Sequence, residues 1–222
     1  MKSFKGPFAI VTSLFFMWGF ITVLVDGLIP RLKETFELSY AQSSFVQWAW
    51  FLAYGAFSIP AGIVISRIGY KKGLLTGLGV AGIGCMLFYP AAESRVYLLF
   101  LVALFVLAGG ITILQVAANP YVTALGDPAK ASSRLNLSQA FNSIGTTIAP
   151  IFGAAYLLSD QILSSDELAE LPTSAKETYF LNEASAVQGP FLVLGGLLVL
   201  LAIFVGILKL PKLISTDSRG GF

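Results

Sequence analysis

Apolar residues fall into long blocks separated by short polar segments, with no sustained alternation of apolar and polar positions. Six blocks stand out, at roughly 8–30, 42–66, 73–90, 96–122, 135–158 and 189–208. Each approaches or exceeds the ~20 apolar residues that a helix needs to cross a hydrocarbon layer ~30 Å thick. Transmembrane barrel strands would instead show ~10-residue alternating segments. The pattern therefore predicts an all-α membrane domain of six transmembrane helices.

The polar segments orient these spans. With a cytoplasmic N-terminus, the inner segments hold Lys2, Lys5, Arg67, Lys71, Lys72, Lys130, Arg134, Lys209, Lys212 and Arg219, ten of the fourteen basic residues. Only Arg31, Lys33, Arg95 and Lys176 fall outside, as the positive-inside rule requires. The acidic 159–188 segment is then an outer loop, and both termini are expected to be cytoplasmic. The first block begins like a secretory signal but is too long for one and lacks an A-x-A site, so it is expected to remain a transmembrane helix.

Composition sharpens this picture. Hydrophobic residues make up 56 % of the chain and charged residues 12 %, with a mean hydropathy of +0.80. The absence of histidine removes Ser-His and Cys-His catalysis and the HExxH zinc helix. A single cysteine, Cys85, removes disulfide frameworks and iron–sulfur ligation. A net charge of +2 offers no surface for nucleic acid. No enzyme and no cofactor is expected, and the lipid bilayer is the expected surroundings.

Glycines recur in span three (Gly73, Gly77, Gly79, Gly82, Gly84) and span six (Gly195, Gly196), where small residues suit close helix packing in lipid. Gly77-x-Gly79-x-x-Gly82 matches a dinucleotide-binding pattern by letter, but no strand precedes it.

Polar residues inside spans carry the functional signal, because lipid penalises them. Of the acidic residues, Asp26 alone lies in a predicted span, either as a working group or as a carboxylate wetted where the helix ends early. Span four carries Gln115 and Asn119-Pro120. Proline there predicts a helix break, which fits a cavity wall or a packing kink. In span five, Asn136, Gln139, Asn142, Ser143, Thr146 and Thr147 share one helical face, longer than packing alone requires, and a lumen is favoured. Span two adds Gln47, Trp50 and Tyr54 at helical spacing. Amides that donate and accept, with aromatic faces against C–H groups, suit a polyhydroxylated solute.

Several segments together resemble the N-terminal half of Major Facilitator Superfamily sugar symporters, in the fucose permease and glucose/galactose transporter branch. They are Leu14-Phe15-Phe16-Met17-Trp18-Gly19, Asp26-Gly27-Leu28-Ile29-Pro30, Gly69-Tyr70-Lys71-Lys72-Gly73, Gln115-Val116-Ala117-Ala118-Asn119-Pro120-Tyr121, and Arg134-Leu135-Asn136-Leu137-Ser138-Gln139-Ala140-Phe141-Asn142-Ser143. The similarity is strong over about residues 8–160. It implies a 3+3 inverted repeat forming one half of a twelve-helix transporter, with residues 1–208 as that half and 209–222 as the start of a cytoplasmic inter-domain linker.

The resemblance also implies cation coupling (H⁺ or Na⁺) at Asp26 and sugar contacts at Gln139 and Asn142. With Gln47, Trp50, Tyr54, Gln115 and Asn119 these form the candidate substrate site. Arg67, Gly69, Lys71 and Lys72 form a candidate cytoplasmic gating loop, in which Ser66 replaces the family's Asp. Fucose permeases carry Glu where this chain has Gln115, and Asn where it has Val23. Both changes point towards glucose or galactose. A separate C-terminal half or a second copy is the expected partner. The competing readings are a drug or metabolite antiporter, on Gly145-x-x-x-Ala149-Pro150-x-x-Gly153, and a six-helix channel.

Overall fold

A computed structural model describes residues 4–27, 38–156, 163, 165–208 and 210–211. The described residues form seven α-helices: α1 (Lys5–Asp26), α2 (Tyr40–Ile68), α3 (Tyr70–Ser94), α4 (Tyr97–Ala124), α5 (Ala131–Tyr156), the short α6 (Ser165–Glu170) and α7 (Thr173–Ile207). A 3₁₀ turn, Pro128–Lys130, joins α4 to α5. All but α6 are long enough to cross a bilayer at ~1.5 Å per residue.

Five of the described helices are also apolar enough to qualify as spans, over Lys5–Asp26, Tyr40–Ile68, Tyr70–Ser94, Tyr97–Ala124 and Gln188–Ile207. Helix α5 is absent from that set because of its amide and hydroxyl residues. It spans nonetheless, because it packs lengthwise on α1, from the buried Thr12–Ser138 hydroxyl contact of 3.0 Å to the Phe20–Phe152 ring pair at 5.5 Å.

The ends of the helices follow from local chemistry. Ser39 and Gln42 form a reciprocal capping box at the start of α2. Only Gly69 separates α2 from α3, and its φ of +83° lies in the left-handed region that costs a side chain energy. Helix α7 begins at Thr173, not near 189, so much of the expected outer loop is helical. Arg95 lies 4.6 Å above the Phe180 ring and ties this extension to the end of α3. Of the expected linker at 209–222, only Leu210 and Pro211 are described.

Helix α4 does not break at Asn119-Pro120. It continues to Ala124, as α2, α3, α5 and α7 continue through Pro60, Pro90, Pro150 and Pro190. A proline removes one intrahelical bond, and the packed neighbours of α4 hold the remaining turns in place.

Glycine decides which helices meet closely. A Cβ on Gly77 would lie 2.6 Å from the Leu114 nitrogen, and one on Gly110 would strike the Ala81 backbone, so α3 and α4 touch backbone to backbone. Gly195 faces Gly82 across α3 and α7. Gly145 lies against the Phe16 carbonyl, joining α5 to α1. Gly79 and Gly196 have no heavy atom within 4 Å of a would-be Cβ. For those two the packing expectation fails, because they point away from the neighbouring helices.

The packing has an internal exchange. Helix α1 of the first three spans packs on α5 of the second three, and α4 packs on α2 in the same way. Helices α3 and α7, the third of each triplet, pack on each other. The close α3–α4 pairing has no equal between α7 and α1. That asymmetry leaves an apolar groove of about 630 Å³ walled by residues such as Phe16, Phe20, Phe152 and Pro190.

Candidate functional site

The candidate residues fall into three groups, with depths measured from the end bearing the α2–α3 and α4–α5 turns at ~1.5 Å per residue. Asn119 lies ~8 Å along α4 from that end, Gln139 ~12 Å along α5, Gln115 ~14 Å along α4, Asn142 ~16 Å along α5 and Tyr54 ~21 Å along α2. Asp26 and Gln47 lie at ~32 Å, at the opposite end.

Those two are joined. Gln47 Nε2 donates to Asp26 Oδ1 at 3.1 Å, tying the end of α1 to α2. Asp26 is the last residue of α1 and is exposed, so the carboxylate lies at the mouth of the bundle rather than in its middle. Glu93, outside the predicted third span, falls in the last turn of α3 and is also exposed. Pro30, the proline expected to pair with Asp26, lies outside the described residues.

A second pair sits near mid-depth. Gln115 Nε2 donates to the Tyr54 hydroxyl at 2.9 Å, and the Trp50 ring stands 6.3 Å from the Tyr54 ring. Trp50 is buried and Tyr54 half-buried. Asn119, a turn further along α4 from Gln115, has a buried Oδ1 with no hydrogen-bond partner among the described residues.

The third group is the polar face of α5, and here the structure divides what the sequence pattern unites. Ser143 donates to the Gln139 carbonyl at 3.2 Å, and Thr146 and Thr147 both donate to the Ser143 carbonyl at 2.8 Å. These hydroxyl hydrogens serve their own helix. Asn142 Nδ2 donates to the Phe15 carbonyl at 3.1 Å, and Gly19 gives it room against α1. Asn142 therefore fastens α5 to α1 and keeps its oxygen and one amide hydrogen for another partner. Gln139 is exposed, and among the described residues nothing holds its amide. Gln139→Ala is expected to leave thermal stability unchanged, whereas Asn142→Ala should cost ~1–3 kcal/mol, read from melting in detergent.

The candidate gating loop is partly structural. Lys71 Nζ donates to the carbonyls of Gly206 and Leu208 at 2.7 and 2.8 Å and so closes the end of α7. A cation there offsets the negative end of the helix dipole. Tyr121 adds a 3.2 Å bond to the Pro211 carbonyl. Arg67 and Lys72 are exposed. Lys71→Met should speed hydrogen exchange over the last turn of α7, with little change in α1.

Sequence reasoning used Arg134 as an inner basic residue and as part of a family-like segment, and gave it no structural role. Its guanidinium donates to the Val122, Thr123 and Asp127 carbonyls at 2.6–3.0 Å and closes the α4–α5 turn. The signal for it was an arginine in the first turn of a helix that follows a proline turn.

Comparison with known proteins places this arrangement. A sequence model described as Major Facilitator Superfamily matches residues 8–219. The glucose/galactose transporter of Brucella abortus is 53% identical over 210 residues, covering 95% of this chain and 48% of that protein. The L-fucose-proton symporter of Escherichia coli is 39% identical over 224 residues, covering 99% and 51%. The crystal structure of FucP in the outward conformation matches with a TM-score of 0.85 at 38% identity, over 97% of this chain and 52% of that one. The chain thus spans about half the length of the curated relatives it matches.

Proposed function

The chain belongs to the Major Facilitator Superfamily, and from that premise we propose that it supplies the N-terminal six-helix half of a sugar symporter importing a hexose such as glucose or galactose. The observation that carries this reading is the set of neutral hydrogen-bonding side chains that α2, α4 and α5 carry well inside the helices. Gln139, Asn142, Gln115 and Tyr54 can donate to and accept from hydroxyls, and Trp50 offers a ring face to the sugar's C–H groups. The spans place no Lys or Arg among these groups, as a phosphate would need.

Import proceeds by rocking this half against a second six-helix half around a site between them. Asp26 carries the coupling ion. H⁺ is favoured, because relatives bear the name L-fucose-proton symporter. The protein lies in a bacterial inner membrane with both termini cytoplasmic. A Cys introduced at Ser165 should then react with an impermeant thiol reagent applied outside, and one introduced at Lys71 should not. The reverse result would invert the topology.

The antiporter reading loses its support in the packing of α5. Gly145, the first glycine of that pattern, lies against the Phe16 carbonyl and is accounted for by the α1–α5 contact.

The decisive experiment reconstitutes this chain alone, and together with the C-terminal half of the Brucella abortus glucose/galactose transporter, in proteoliposomes with and without a proton gradient or Na⁺. Uptake of labelled glucose or galactose only with both halves present supports the proposal. Uptake of a cationic dye instead would favour the antiporter, and ion-independent uptake by the chain alone would favour a channel.

A further inference from the structure

The hydrogen bond between Gln115 and Tyr54 has a fixed direction. An amide nitrogen can only donate, so the Tyr54 oxygen accepts from Gln115 Nε2. The phenolic hydrogen is then directed elsewhere. Gln115 Oε1 accepts no hydrogen bond among the described residues, and it is not among their enclosed, unpaired atoms. The pair therefore presents the Tyr54 O–H and the second Nε2 hydrogen of Gln115 as donors and Gln115 Oε1 as an acceptor, held side by side between α2 and α4. A single alcohol group complements that arrangement, accepting from the tyrosine and donating to the amide. The Trp50 indole N–H also donates to the Tyr54 hydroxyl oxygen, which leaves the phenolic hydrogen for a ligand.

We propose that the Tyr54–Gln115 pair is a specificity element that recognises the C6 hydroxyl of a hexose. This rests on the sugar-transport reading above. Glucose and galactose differ only in the orientation of the C4 hydroxyl, so a carrier of both cannot depend strongly on that group. Both carry a C6 hydroxyl, which a 6-deoxyhexose such as fucose lacks. A half-buried donor and acceptor left unpaired by a methyl group penalise the deoxy sugar. A site built to hydrogen-bond a hydroxyl discriminates more strongly than an apolar pocket discriminates by size. Relatives named for glucose/galactose and for L-fucose both match this chain, so the two sugar types are the informative pair to compare.

The test uses counterflow of labelled D-galactose in the two-half transporter, competed by unlabelled D-galactose or by its 6-deoxy analogue. The unaltered protein is expected to prefer galactose by about ten- to hundredfold. Tyr54→Phe, which keeps the ring beside Trp50, should weaken galactose and leave the deoxy sugar nearly unchanged, bringing the ratio towards one. Gln115→Met should do the same by removing the acceptor. Equal weakening of both sugars in both variants, or equal competition by both sugars in the unaltered protein, would overturn the proposal. Absence of any galactose counterflow would instead overturn the sugar reading, and this inference with it.

Discussion

Asp26→Asn is expected to bring sugar accumulation in the two-half transporter down to equilibration, while exchange across the membrane continues. The substitution keeps the shape of the side chain and an oxygen able to accept from Gln47, whose 3.1 Å bond links α1 to α2. What it removes is the ability to change charge. Among the candidate substrate residues none titrates near neutral pH, since Gln115, Gln139, Asn119 and Asn142 are amides and Tyr54 is a phenol. Gln115→Ala should accordingly lower affinity and spare coupling. The measurement sets uphill uptake against counterflow in one preparation. Uphill uptake at the unaltered level in Asp26→Asn would make Asp26 a wetted helix end and place coupling in the other half.

Gly145→Leu should prevent the bundle from assembling. A Cβ on Gly145 would run into the Phe16 carbonyl and the Phe20 nitrogen, which are backbone atoms that cannot rotate aside. Helices α1 and α5 would have to separate along the contact that also holds the Thr12–Ser138 and Asn142–Phe15 bonds. Overpacking a core costs ~1–3 kcal/mol where side chains can yield, and more where they cannot. Loss of the monodisperse species in detergent is the expected result. Gly196→Leu is the control, since its added side chain meets open space and should leave melting unchanged.

Hydropathy made five of the spans plain and α5 marginal, because a bilayer demands long apolar runs whatever the tertiary packing. It could not show that α7 starts at Thr173, since nothing in lipid energetics fixes where a helix stops once it has left the membrane. The expected break at Pro120 did not occur for a related reason, in that neighbouring helices keep α4 helical across the lost bond. The α5 periodicity correctly marked a special face but could not tell a hydroxyl turned onto its own helix from an amide open to a solute. That difference lies in rotamers. The pairing of Gln115 with Tyr54 and the closure of α7 by Lys71 join residues far apart in sequence, and only the packing brings them together.

The turn clamped by Arg134 bears on how the protein enters the membrane during synthesis. Helix α5 is too polar to be expected to partition efficiently into lipid on its own, whereas α4 ahead of it is strongly apolar. The Arg134 side chain grips three carbonyls at the end of α4 and in the turn, so the two helices can leave the translocon as one preformed hairpin. The apolar helix then carries the polar one into the bilayer until α1 receives it. On this view Arg134→Ala would show itself first as chains with α5 left outside the membrane, made in normal amounts and cleared by quality-control proteases.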